Sequence, residues 1–243
     1  MSEAPSHDVF VTGATGYMGR ALIPMLLERA HRVRALARPG SENKLPAGVV
    51  PVAGDALDAA SFRDGIAPAD TLIHLVGTPH PAPWKGRQFR AVDLVSIRAA
   101  VEAAVHAHVA HFIYVSVAHP APVMAAYIAV REEGERLVRA AAMKATIVRP
   151  WYVLGPGHYW PFALAPVYGF LERIKATRDT ALRLGLVTLD EMVRTLVHAV
   201  EHPAPDVRIV DVPEISQAPR LEGGGGAAIR TGSPTNTSKG ATP

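Results

Sequence analysis

The stretch Val11-Thr12-Gly13-Ala14-Thr15-Gly16-Tyr17-Met18-Gly19 lies near the start of the 243-residue chain and decides how the rest is interpreted. Its three glycines are spaced three residues apart, between the apolar run Val9–Val11 and a helical pattern over Met18–Ala30. In such a strand–turn–helix, one glycine allows the tight turn, one lets the backbone approach a pyrophosphate, and one permits close helix–strand packing. The helix N-terminus then attracts the phosphate charge. The stretch predicts a dinucleotide-binding turn, with an ordinary strand-to-helix turn as the alternative.

Apolar runs alternate with longer helical patterns along the next 200 or so residues. Further strands are expected at Arg32–Ala37, Val49–Val52, Thr71–Val76, His111–Val117, Ala145–Val148 and Val207–Val212. Further helices are expected at Gln88–His108, Ala126–Met143 and Leu189–Glu201. Strands that alternate with helices of this length are typical of a parallel sheet covered on both faces. The pattern predicts an α/β fold, a Rossmann-type doubly wound parallel sheet with a small C-terminal extension on the substrate side.

The amino-acid composition excludes several kinds of catalytic and binding site. The chain has no cysteine, which excludes a thiol nucleophile, a disulfide scaffold and a cysteine-ligated metal site. Its net charge is +3, and residues 217–243 contribute +2 of this through three cations and one acid. The remaining 216 residues are close to neutral, so the basic pI of about 9.3 is weak support for a nucleic-acid partner. No metal site is predicted, because the histidines lack acidic partners at ligand spacing.

The residues expected at the adenosine end of a cofactor depart from the usual NAD pattern. No acid lies between His31 and Ser41, where an NAD site usually has one to bond the ribose 2′-hydroxyl. Arg38 could instead pair with a 2′-phosphate, which favours NADP(H) over NAD(H); a solvated strand-end arginine is the alternative. Asp55 could accept from an adenine amino group or cap the next helix. The candidate cofactor-binding residues are Gly13, Thr15, Gly16, Tyr17, Met18, Gly19, Arg38, Asp55 and Ala56.

The C-terminal third is organised differently. Residues 150–171 carry no formal charge, but Pro156, Pro161 and Pro166 make this stretch a poor membrane span. The stretch contains seven of the fifteen aromatic residues, which could line an apolar substrate pocket, pack in the core, or form a partner-binding or membrane-surface patch. We therefore expect an NAD(P)-binding domain over residues 1–216 with a substrate-side segment at about 151–190. The Gly-, Ser- and Thr-rich residues 217–243 predict a disordered tail. A cytoplasmic location is expected, since the first eight residues are polar.

Several further motifs follow in a characteristic order. They are Gly54-Asp55, Ile113–Val117, Tyr127–Glu135, Arg149-Pro150 and Val153–Gly157. Together with Thr12–Gly19, they resemble the short-chain dehydrogenase/reductase superfamily over about residues 8–213, in its extended and atypical branches (NmrA-like and NAD-dependent epimerase/dehydratase-like). In that family a tyrosine exchanges a proton with the substrate while hydride moves to or from nicotinamide, and a serine orients the substrate oxygen. The resemblance implies these roles for Tyr127 and Ser116.

Two positions depart from the family pattern. The fourth residue after Tyr127 is Arg131 rather than the expected lysine, although the spacing keeps its charge on the same helix face. Arginine can depress a phenol pKa but relays protons poorly, because guanidinium stays charged. Asp93 stands where the family places an asparagine, so the family's proton relay is incomplete. Tyr127 and Ser116 could also be a packing tyrosine and a strand-end hydroxyl.

Two function hypotheses follow. The first is an NADP(H)-dependent oxidoreductase acting on a small apolar carbonyl or alcohol, with Tyr127 as acid/base, Ser116 as orienter and Arg131 as electrostatic modulator. An epimerase or dehydratase is a variant of this hypothesis. The second is a catalytically weak or inactive NADP-binding sensor or assembly factor, favoured by Arg131 and by the missing asparagine. A small-molecule substrate is expected and nucleic acid is not, while an oligomer or a protein partner is compatible with both hypotheses.

Overall fold

A central parallel sheet organises the chain. The structure, a computed structural model, describes residues 6–121, 123–155 and 185–219. The sheet has the strands β1 (Asp8–Thr12), β2 (Arg32–Ala37), β3 (Val50–Ala53), β4 (Thr71–His74), β5 (His111–Val115), β6 (Lys144–Arg149) and β9 (Val207–Asp211). A separate pair consists of β7 (Tyr152–Leu154) and β8 (Leu186–Thr188). The fold class expected from the sequence is confirmed.

The strand order locates the ligand-binding edge. The seven strands follow the order β3-β2-β1-β4-β5-β6-β9, and every neighbouring pair is parallel. The direction of winding therefore reverses between β1 and β4. In open α/β sheets, ligands bind outside the carboxyl ends of the strands at this switch point. Thr12 ends β1 and His74 ends β4, so both lie at this crevice.

Helices cover both faces of the sheet. They are α1 (Tyr17–Glu28), α2 (Gly86–Gln88), a π-helical stretch (Phe89–Leu94), α3 (Val95–His106), α4 (Ala125–Ala140), α5 (Leu189–Glu201) and α6 (Val212–Ser216). One buried cluster packs α1 and α5 against the sheet, and a second packs α3 and α4 against the other face. Helix α5 begins where the sequence predicts, because Thr188 and Glu191 cap each other reciprocally at its N-terminus.

The structure refines several element boundaries. The helix expected over Gln88–His108 occupies residues 86–106 and contains the π-helical stretch, which includes Asp93. The last strand ends at Asp211, because α6 starts directly after it. Ordered packing extends past residue 216: Ala218 is buried, and its carbonyl accepts a hydrogen bond from Arg194.

Part of the sequence-based prediction lies outside the described residues. Of the seven aromatics at 151–171, only Trp151 and Tyr152 are described. Trp151 is partly buried against the core, and Tyr152 begins β7. The other five aromatics and residues 220–243 of the predicted tail lie outside, so their predicted roles stay predictions.

Candidate functional site

The glycine turn has the geometry that a pyrophosphate site needs. Gly13 has φ +76°, and a Cβ there would lie 2.9 Å from the carbonyl carbon of Leu75. A Cβ on Gly19 would overlap the carbonyl oxygen of Ala14 and lie 2.6 Å from that of Gly13. Helix α1 starts directly after Gly16, which has no side chain to cap its first turn. The backbone therefore approaches closely, and the positive end of the helix faces the turn, so these residues fit a dinucleotide phosphate.

The other candidate cofactor residues surround this turn. The hydroxyl of Tyr17 lies against the α-carbon of Gly155, so its side chain points towards the end of β7. Its contribution to a phosphate would come from its backbone N–H. Met18 is partly buried against the core, and the carbonyl of Thr15 accepts a hydrogen bond from Arg20 Nε at 2.9 Å.

The residues predicted to bind the adenosine end of a cofactor follow β2 and β3. Arg38 follows β2 directly and is exposed, as a residue that meets a 2′-phosphate must be. Asp55 Oδ1 accepts from the N–H of Leu57 at 3.0 Å, and the next helical turn is capped by Asp58. The alternative that Asp55 is a helix cap is therefore wrong, because Asp58 supplies the capping oxygen. Asp55 stays exposed, and Ala56 beside it is partly buried.

A three-residue segment after β4 joins the glycine turn to a second polar group. The backbone atoms of Leu75 and Val76 lie close to Gly13, and Gly77 follows them. A Cβ on Gly77 would overlap Arg131 Nη2 and would lie 3.2 Å from Asp93 Oδ1. The phosphate turn and the Arg131–Asp93 pair are therefore separated only by this short segment.

Arg131 and Asp93 form a buried ion pair. Arg131 Nη2 donates to Asp93 Oδ1 at 2.7 Å, and the two side chains are 6% and 0% exposed. Arg131 Nη1 also donates to the carbonyl of Val115 at 3.0 Å. Asp93 Oδ2 accepts from the N–H of Thr78 at 3.1 Å and from its Oγ1 at 2.5 Å. The carboxylate thus connects α4, the π-helical stretch and the loop after β4.

Two tyrosines lie against the Arg131 guanidinium. Its carbon is 5.0 Å from the ring centroid of Tyr127 and 5.9 Å from that of Tyr114. Burial raises the pKa of Tyr114 to about 12, which keeps its phenol protonated. Burial by itself lowers the pKa of Arg131, but the adjacent tyrosines and Asp93 outweigh it and raise that pKa. The guanidinium beside Tyr127 therefore carries a permanent positive charge.

Ser116 belongs to a different polar cluster. Its Oγ is buried and donates to Glu135 Oε1 at 2.8 Å. Glu135 also accepts from Arg149 Nε at 2.8 Å and from Arg139 at 3.2 Å. Burial by itself raises the pKa of Glu135, but the hydrogen bonds from Arg149 and Ser116 outweigh it and lower that pKa. The hydrogen bonds of the described residues do not join Ser116 to Tyr127.

A buried histidine links the end of β1 to the same region. His74 Nδ1 lies 2.9 Å from Thr12 Oγ1, and its Nε2 lies 3.4 Å from Ser96 Oγ. Ser96 Oγ donates to the backbone carbonyl of Asp93. Burial, together with the charge of Arg131, lowers the pKa of His74 to about 3, so this imidazole is neutral. It can order the polar groups between the glycine turn and Asp93 without adding a charge.

Sequence reasoning found Arg131 but missed its partner. The sequence has Asp93 in place of the family's asparagine and Arg131 in place of its lysine. These two residues are opposite in charge, and this is the sequence signal that could have predicted their pairing. Glu135 gave no such signal, because two of its hydrogen-bond donors, Ser116 and Arg149, lie on other elements, 19 and 14 positions away in the sequence.

Comparison with known proteins agrees with this geometry. Residues 13–156, more than half of the chain, match a family described as NAD(P)H-binding. The chain belongs to this NAD(P)H-binding family. A solved short-chain dehydrogenase/reductase superfamily protein from Agrobacterium tumefaciens with bound NAD has the same fold, with a TM-score of 0.62 and 21% identity. That match covers 84% of this chain and 77% of the other. The resemblance stated from the sequence is therefore confirmed as to the NAD(P)-binding family and the fold.

Two relatives of known activity match part of the chain. Ceramide reductase of Caulobacter vibrioides is 36% identical over 152 residues, covering 61% of this chain and 47% of the relative. A 4-hydroxy-2-methyl-3-oxo-4-farnesyl-3,4-dihydroquinoline-1-oxide ketoreductase of Stigmatella aurantiaca is 27% identical over 168 residues, covering 60% and 50%. This chain therefore spans about half the length of these relatives. Within the described residues, no helix has the length and apolar character needed to cross a membrane.

Proposed function

We propose that this protein is an NADP(H)-dependent oxidoreductase that reduces a carbonyl group on an apolar, lipid-like substrate. The observation that carries the proposal is the position of Tyr127 against the charged Arg131, at the same sheet edge as the glycine turn. A phenol beside a fixed cation can give up a proton, because the cation stabilises the phenolate.

The substrate class is narrowed by the two relatives. A ceramide and a farnesylated quinoline are both large and apolar, and both relatives are named as reductases. The sequence-based expectation of a small apolar substrate is accordingly extended to lipid-like carbonyl compounds. The partly buried Trp151 and the aromatic-rich sequence after it agree with an apolar binding region.

In the proposed reaction, Tyr127 donates its phenol proton to the carbonyl oxygen, and Arg131 stabilises the phenolate that remains. When bound, the reduced nicotinamide supplies the hydride that is added to the carbonyl carbon. Solvent then returns a proton to Tyr127. Ser116 could orient the carbonyl oxygen only after its hydroxyl turns away from Glu135, since that bond uses its single proton.

NADP(H) is proposed as the cofactor because of Arg38. Its guanidinium is exposed just after β2, and the sequence from 32 to 40 contains no acid to accept from a ribose 2′-hydroxyl. A 2′-phosphate could accept two charge-assisted hydrogen bonds from this guanidinium.

The test is NADPH oxidation, followed at the nicotinamide absorbance, with long-chain ketones against short-chain ketones. We expect turnover with the long-chain compounds and a loss of about 100-fold or more in Tyr127→Phe. The dissociation constant for NADPH, measured by fluorescence titration, should be unchanged in this variant. Full turnover in Tyr127→Phe would refute the role of the phenol.

A second candidate function is an NADP-binding sensor or assembly factor. It is favoured by the engagement of Arg131 with Asp93 and Val115, which leaves the guanidinium committed to structural bonds. This candidate predicts tight NADPH binding, no turnover with any carbonyl compound, and co-purification of a protein partner. Robust turnover would exclude it.

A further inference from the structure

A longer stretch that follows Thr78 bears an exposed aromatic side chain. In residues 79–90, which we call the Trp84 segment, Trp84 is 83% exposed. The other large aromatic of the segment, Phe89, is buried, and its ring centroid lies 4.9 Å from that of Tyr127. The segment therefore has an inner side that packs on the candidate catalytic tyrosine and an outer side that bears an exposed indole. Tryptophan side chains are buried for the most part in folded proteins, so one this exposed to solvent is unusual.

Three basic residues follow this tryptophan in the sequence. Lys85, Arg87 and Arg90 lie within six residues of Trp84, and the sequence from 79 to 92 contains no acidic residue. Arg87 and Arg90 are exposed, and Lys85 donates to the carbonyl of Pro79 at 2.8 Å. Among the residues that the structure describes, no carboxylate forms an ion pair with any of these three cations. Arg98 on the neighbouring α3, by contrast, pairs with Glu133 at 3.1 Å.

The surface continues onto the start of α4. A Cβ on Gly86 would lie 3.5 Å from the Cβ of Ala126, so the Trp84 segment adjoins the first turn of that helix. Val123, two residues before α4, is 54% exposed. Exposed apolar and cationic side chains thus lie on two adjacent elements, the Trp84 segment and the residues at the start of α4.

We propose that the Trp84 segment binds the surface of an anionic lipid bilayer. Tryptophan is favoured at the headgroup level because its ring is apolar and its indole N–H is polar. Basic side chains beside it are attracted by anionic headgroups. A protein partner would need a shaped pocket for the exposed indole and matching acids for the basic side chains, whereas a fluid anionic surface fits both features without a shaped pocket.

Membrane binding by the Trp84 segment would give the proposed reductase access to its substrate. Only this purpose of the binding rests on the proposed function. A lipid-like substrate resides in a bilayer, and Phe89 of the Trp84 segment packs against Tyr127. Docking through Trp84 would bring Tyr127 close to the membrane surface, where an apolar substrate resides.

Co-sedimentation with vesicles tests the proposal. The vesicles are phosphatidylcholine alone, or phosphatidylcholine with about one third phosphatidylglycerol. We expect binding to the anionic vesicles only, weakened by added salt. Arg87→Gln/Arg90→Gln should reduce the partition coefficient about 30-fold, since each cation near the surface contributes about fivefold. Trp84→Ala should also reduce it, with unchanged selectivity for anionic vesicles.

Matched controls at the opposite edge of the sheet separate local docking from net charge. Arg63→Gln/Lys144→Gln removes the same charge, and Val105→Ala removes an exposed apolar side chain. These variants should bind as the unchanged protein does. Equal binding to neutral and anionic vesicles, or equal losses in control and test variants, would overturn the proposal. Absence of binding to the anionic vesicles would also overturn it, and a protein partner that Trp84→Ala releases would then be the favoured occupant. None of these measurements involves turnover, so the proposed reaction is judged separately with detergent-dispersed substrate.

Discussion

Removing one partner of the buried Arg131–Asp93 pair should destabilise the protein strongly. The two side chains are almost fully buried, and their closest atoms are 2.7 Å apart. Removing one member of such a pair leaves an uncompensated charge in the interior, which typically costs about 3–5 kcal/mol of unfolding free energy. We expect Asp93→Asn and Arg131→Met each to fall in this range.

The double variant gives the sharper result. Asp93→Asn/Arg131→Met leaves no buried charge, and Thr78 can still donate to the asparagine oxygen. Its destabilisation should therefore be smaller than the sum of the two single values by about 2 kcal/mol or more. Urea denaturation of all four proteins, with the slope checked for constancy, measures this coupling.

An exposed pair provides the comparison. Arg98 and Glu133 are 3.1 Å apart, but Arg98 is 57% exposed, so the same cycle there should give a coupling below about 1 kcal/mol. If the Arg131–Asp93 cycle were additive within about 0.5 kcal/mol, the two charges would not compensate each other and our account of the site would be wrong.

Three further predictions concern the cofactor site and the core. Gly13→Ala should weaken NADPH binding in a fluorescence titration, whereas Gly48→Ala, with a similar φ of +88° but only ordinary contacts with Leu27 at 3.7 Å and beyond, should leave it unchanged. Arg38→Gln should raise the dissociation constant of NADPH about 10-fold or more, and equal effects on NADH would contradict the 2′-phosphate contact. Burial lowers the pKa of His111 to about 4, so stability should decline as pH falls from about 6.5 to 4, because the unfolded chain takes up a proton first. In His111→Gln, the free energy of unfolding should fall by about 1.4 kcal/mol less per pH unit over this range than in the unchanged protein. Urea denaturation at several pH values measures this slope. An unchanged slope would contradict the assignment to His111.

Much of the fold was predictable because it depends on local patterns. The Gly13–Gly19 turn needs glycine for backbone reasons that are visible in sequence, and the structure places φ +76° at Gly13. Helix α5 matches its predicted bounds, since its cap is formed by neighbouring residues. The strand β2 likewise agrees at both ends with the predicted range.

Short elements and turns with two possible local hydrogen-bond patterns were less predictable. The π-helical stretch and the helix α6 leave no clear periodic signature in so few residues. Asp55 offered two local interpretations, and the choice against a helix cap follows from where Asp58 lies in the folded chain.

The sequence alone determined the class of fold and the glycine turn, because these follow from local spacing and residue chemistry. Its resemblance to the short-chain dehydrogenase/reductase superfamily pointed to Tyr127, Ser116 and Arg131 as candidates. Only the tertiary structure decided how those candidates are partnered. It joins Arg131 to Asp93 across 38 positions, and Ser116 to Glu135 across 19. The physical reason is that burial makes each charge require a partner, and which partner is within reach depends on how the strands and helices pack.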